Sequence, residues 1–109
     1  MSAVRVVFIT VPSVDVARKL ARALVEERLA ACVNIVPALT SIYRFEGELH
    51  EDEELLLVVK TVPHRLTALF ARVAELHPYK VPECIALPVE GALPKYLEWV
   101  VGETQRVVV

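Results

Sequence analysis

Apolar and polar positions along this chain follow two rhythms in turn. Residues 3–11 are rich in Val, Ile and Phe with almost no polar interruption, which predicts a strand buried on both faces. Pro12 ends that run, Ser13 is placed to cap a helix, and Asp15 favours its first turn electrostatically. The apolar positions then move to helical spacing at Ala17, Leu20, Ala21, Leu24 and Val25, with Arg18, Lys19, Arg22 and Glu26 opposite. An amphipathic helix to about Arg28 is expected. Residues 31–45 are β-branched and aromatic, Glu46-Gly47-Glu48 supplies a turn, and residues 49–62 return with their polar part first. The pair predicts a long hairpin with an acidic, solvated tip and an apolar base, and Pro37 predicts an edge position or a bulge. Pro63 opens a second amphipathic helix carrying Leu66, Leu69, Phe70, Val73 and Ala74. It stops by His77, because Pro78 disfavours helix in the residue before it. A fourth strand at 82–89, a short helix at 94–101 and a small last strand at 106–109 complete the pattern.

The order β-α-β-β-α-β with a C-terminal helix predicts an α+β fold of the ferredoxin-like, split β-α-β kind. Two helices cover one face of a four-stranded antiparallel sheet, and the second and third strands form the long hairpin. The 109 residues fit one domain, 1–109. Hydrophobic residues make up 55% of the chain, more apolar surface than a monomer of this size comfortably buries. The second face of the sheet is apolar too, and packing against sister subunits is the economical way to cover it.

Charge narrows the partners. A formal net charge of -2 and a pI near 5.9 give no general affinity for nucleic acid or anionic membranes. The apolar runs are too short to cross a bilayer, and the first twelve residues lack a signal peptide's long apolar segment. Cys32 and Cys84 are isolated and read as buried reduced thiols, so cytoplasmic residence follows by elimination. A single Asn, Asn34, and a single Gln, Gln105, beside abundant Glu and Arg suggest a thermophilic source. The first loop, Thr10-Val11-Pro12-Ser13, has neither the thiols of a metal chaperone nor the arginine of an acylphosphatase. No phosphate-cradling glycine loop is present.

Five short motifs remain: Ala31-Cys32-Val33-Asn34, Ser41-Ile42-Tyr43-Arg44-Phe45-Glu46-Gly47, Lys60-Thr61, His77-Pro78-Tyr79-Lys80-Val81-Pro82-Glu83, and Tyr96-Leu97 with Trp99. Their order and setting resemble the CutA family of divalent-cation tolerance proteins over essentially the whole chain. The resemblance implies a ferredoxin-like homotrimer with sheets turned inward, long hairpins exchanged between neighbours, and an architecture like that of the PII signalling proteins. It implies no enzymatic reaction and no required cofactor, with Cu(II) or another divalent cation as the metal bound. The link of animal members to acetylcholinesterase anchoring is not expected to extend to so small a chain. Phe45 stands where the family usually has Trp, and Ile9 and Leu76 stand where some relatives have Cys and His. Of a Cys/His/His copper site, only His77 is kept.

His77 is thus the candidate metal ligand, against the plainer reading of a histidine that ends a helix and meets its last carbonyls. The acidic tip, with Glu46, Glu48, Glu51, Asp52, Glu53 and Glu54 around His50, reads as a solvated end that discourages edge aggregation. Tyr43, Lys60, Tyr79, Glu83 and Trp99 are expected around a cleft between subunits. They serve either as a pocket for a small anionic or metal-bound ligand or as a Lys–Glu pair and aromatics that fix the trimer. Two functions stay open beside direct metal tolerance. One is a PII-like sensor that takes an unidentified small ligand or partner protein. The other is a stable trimeric scaffold with no direct metal role.

Overall fold

Strand β1 (Arg5–Val11) lies between β3 (Glu48–Thr61) and β4 (Cys84–Pro88), antiparallel to both, and β2 (Cys32–Phe45) pairs with the far edge of β3. The strand order β2-β3-β1-β4 in this computed structural model is that of the expected split β-α-β arrangement. The structure describes residues 2–105, and the last strand predicted at 106–109 lies outside them.

Helix α1 (Val14–Glu26) begins as its sequence predicts, with the Ser13 hydroxyl accepting from the Val16 backbone N–H at 3.2 Å. It ends two residues short of the expected Arg28. Arg28 takes a left-handed conformation (φ 59°), and Leu29 N–H closes back on the Leu24 carbonyl at 2.9 Å. A single tight turn at Pro63–Arg65 leads into α2 (Leu66–Leu76), which stops before His77 as expected. Helix α3 (Pro94–Glu103) runs two residues past its predicted end. No helix among the described residues is long and apolar enough to cross a membrane.

The hairpin is set by chemistry at two points. Glu46 (φ 51°) and Gly47 (φ 81°) form a two-residue turn between the paired Phe45 and Glu48, the geometry that matches the twist of the flanking strands. Farther down, the register shifts between Val36 and Leu39, with Ala38 at φ 63°. Pro37 therefore sits on an edge strand and at a bulge, both of which its missing N–H favours.

Period-two alternation divides the sheet's side chains between two faces. Val7, Ile9 and Val11 of β1 and Leu55, Leu57 and Val59 of β3 point to the helices. They pack against Ala17, Leu20 and Leu24 of α1 and Leu69 and Val73 of α2. Most are fully buried, each contributing roughly 1.5–3 kcal/mol. A smaller cluster of Val4, Ala31, Val62 and Val100 seats α3 at the base.

Helices α1 and α2 both pack on one face of the sheet and leave the middle of the opposite face open. Paired residues share a face, so the register lays out its rows: Asn34–Val58–Phe8–Ile85, then Cys32–Lys60–Val6–Leu87. Val36, Ile85 and Leu87 are exposed there. Along β3 this face reads Glu54, Leu56, Val58, Lys60, an apolar stretch with opposite charges at its ends.

Candidate functional site

The loop joining α2 to β4 crosses the end of β1 and meets the open face where the hairpin leaves the sheet. Tyr79 of that loop donates its hydroxyl to Glu54 at 3.0 Å. Tyr43 of β2 donates to Asp52 of β3 and stacks on His50, its partner across the hairpin, with ring centroids 5.2 Å apart. Asp52 is one strand step beyond His50 on the same face, so a tyrosine at position 43 reaches it diagonally. Between these residues lies a cavity of about 820 Å³, to which Thr10, Phe45, Lys80 and Glu83 also contribute.

Its electrostatics are acidic. Asp52, Glu54 and Glu83 face it against the single ammonium of Lys80. Glu54 is only 5% exposed, an unusual place for a carboxylate. Burial and the Glu54 carboxylate push the Tyr79 phenol up to about 12, and the hydrogen bond to Asp52 raises that of Tyr43. Two shallower depressions, beside His64 and Arg65 and beside Val4 and Leu97, are lined mainly by the flanks of α2 and α3.

His77 is 6% exposed and both ring nitrogens are engaged. Nε2 meets the Thr10 carbonyl at 2.7 Å, and Nδ1 meets the Tyr79 backbone N–H at 3.1 Å. A carbonyl only accepts and a backbone N–H only donates, so Nε2 carries the proton and Nδ1 its lone pair. A metal would have to displace one of these bonds. The ring also does not turn back on the last carbonyls of α2. Only the His77 backbone N–H does so, bonding Val73. Among the described residues, no three His, Cys, Asp or Glu side chains converge as a metal site.

The residues expected around one cleft divide within a single copy. Tyr43, Tyr79 and Glu83 line the cavity. Lys60 lies on the same sheet face about 20 Å farther along β3 from Glu54, six residues at the usual strand rise. There its Nζ donates to the Asn34 side chain and to the Val58 carbonyl at 3.0 Å, in a setting only 9% exposed. Trp99 is 43% exposed on α3, its ring 5.7 Å from that of Tyr96. Lys60 and Glu83 therefore make no ion pair within the chain. Asp52 and Glu54 are the site residues that sequence reasoning assigned to the tip alone.

A profile of the CutA1 divalent ion tolerance proteins matches residues 5–103. This chain belongs to the CutA1 family. Divalent-cation tolerance protein CutA of Thermus thermophilus is 64% identical over 94 residues, spanning 86% of this chain and 91% of its own. Mouse protein CutA is 50% identical over 100 residues, 92% of this chain but 56% of its own length. The chain thus spans little more than half of that longer CutA relative. The solved divalent cation tolerance protein of T. thermophilus superposes with a TM-score of 0.91 at 60% identity, over 94% of this chain and 99% of that one. The ferredoxin-like frame, the hairpin and the motif order found here are those of a CutA1 protein.

Proposed function

We propose that this protein serves divalent-cation tolerance as a non-catalytic homotrimer whose copies join across the open face of the sheet. The observation that carries this reading is the apolar face itself. Phe8, Leu56 and Val58 form its centre, and Ile85 (51% exposed) and Leu87 (39%) extend it to the edge of β4. A contiguous apolar surface of this kind marks an interface. The trimeric state follows the family resemblance. The unit of assembly is the single domain, and its two unbridged thiols support a reducing, cytoplasmic setting. Light scattering on the purified protein tests the assembly. A trimer that Ile85→Glu converts to folded monomers is the expected result, and a wild-type monomer at micromolar concentration would sink the proposal.

In this reading cation uptake is weak and uses side chains from more than one copy, because His77 is engaged within its own chain. Calorimetric titration of metal-free protein with Cu(II), Zn(II) and Mg(II), repeated on an N-terminally blocked form, tests it. Tight binding that stays with a single dissociated copy would overturn it.

The cavity beside Tyr43 and Tyr79 favours a second reading, a PII-like sensor that takes a small ligand. A thermal-shift screen over nucleotides, carboxylates and amines checks it, since a true ligand raises the melting temperature with concentration.

A further inference from the structure

We infer that the cavity between Tyr43 and Tyr79 accepts a primary ammonium group, held by Glu54. This rests on the ligand-pocket reading and names the chemistry of what enters. Glu54 is 5% exposed, and among the described residues no Lys, Arg or His lies within ion-pair distance of it. A carboxylate in so buried a position is ordinarily matched by a cation. One of its oxygens accepts from the Tyr79 hydroxyl, and the carboxylate lines the cavity.

The walls select the kind of cation. Tyr43, Phe45 and Tyr79 line the space, and aromatic rings attract weakly hydrated organic cations. Hard divalent ions instead need about six to eight converging oxygens on a shaped loop. Here a tyrosine hydroxyl already occupies one oxygen of Asp52 and one of Glu54, two of the three carboxylates that line the cavity. What remains matches an ammonium with a short alkyl stem. One oxygen of Glu54 takes the charge, and the rings take the methylenes.

The cavity's own Lys80 makes no ion pair with Glu54, which leaves two sources for such a group, a free amine or the side chain of Lys60 in a second copy. Lys60 is the one buried lysine among the described residues, on the same sheet face, and its partners there are the neutral oxygens of Asn34 and Val58. Titrating wild-type, Glu54→Gln, Asp52→Asn and Lys60→Ala proteins with methylammonium and butylammonium by calorimetry separates the sources. Acetate is the anionic control. Saturable amine binding to the wild type, weakened at least about tenfold in Glu54→Gln, identifies a free amine as the occupant. Binding absent from the wild type but gained by Lys60→Ala, and again lost with Glu54→Gln, identifies the second copy's lysine. Glu54→Gln keeps an acceptor for Tyr79, and Asp52→Asn gives an independent variant should the first misfold. No amine binding to either the wild type or Lys60→Ala overturns the inference. If acetate binds in that case, the ligand-pocket reading survives its failure. If nothing binds, both fall.

Discussion

The His77 imidazole donates from Nε2 to the backbone carbonyl of Thr10 at 2.7 Å, joining the end of α2 to the end of β1. β4 pairs with β1 only as far as Ile9, so Thr10 lies just beyond that ladder and the ring closes the gap. His77→Ala leaves the Thr10 carbonyl and the Tyr79 N–H without these partners. A loss of about 2–3 kcal/mol in urea unfolding is expected. Cu(II) uptake per folded chain is expected to match the wild type, and a calorimetric titration in which it vanished would restore His77 as a ligand.

The tyrosines predict alkaline behaviour. In the folded protein the Tyr79 phenol, raised by burial and then by Glu54, keeps its proton up to about 12. In the unfolded chain it is released near pH 10, so between these values the unfolded state binds fewer protons and stability falls as pH rises. Below pH 10 the contribution is fully present. Absorbance titration at alkaline pH should show a late-ionising phenol that Tyr79→Phe removes, and Tyr79→Phe should flatten the pH dependence of unfolding across that window.

Ala38 holds a left-handed conformation (φ 63°) at an exposed bulge. Ala38→Gly relieves that strain and removes no packed side chain, so a gain of about 0.5–1 kcal/mol in thermal unfolding is expected. Gly47→Ala at the hairpin turn (φ 81°) is expected to destabilise by about 1 kcal/mol although nothing lies where its Cβ would go. Equal effects of the two changes would contradict this account.

Thr61 is fully buried and donates to the Leu29 carbonyl at 2.6 Å, tying the end of β3 to the segment after α1. Thr61→Val keeps the shape and strands that carbonyl. A loss of about 1–3 kcal/mol in denaturant unfolding is expected, and Thr61→Ser should recover most of it.

Much of this frame is legible in the sequence because each element has its own punctuation. Ser13, Pro63 and Pro78 mark helix ends, and Glu46-Gly47 fixes the hairpin register. Counting from that turn pairs Tyr43 with His50 and sets Asp52 beside them. The missed site residues follow from the same count. Glu54 shares the parity of Leu56, Val58 and Lys60, so it belongs to the open face and not to the solvated tip. The early end of α1 was not legible, since Arg28 is an unusual residue for a left-handed position that glycine normally fills. The engagement of His77 was also hidden. Its partner, Thr10, is 67 residues away, and only the tertiary path of the α2–β4 loop brings the two together.

β1 pairs with β3 only from Leu55 onward, so the outer hairpin, from Leu39 back to Glu54, is a two-stranded ribbon among the described residues. Such a ribbon is marginal on its own in water. Its amides are therefore a gauge of company: slow deuterium uptake along Glu48–Glu54 would report a neighbour laid against the arm, and fast uptake a solitary copy. The most polar part of the chain thus becomes its most sensitive reporter of assembly.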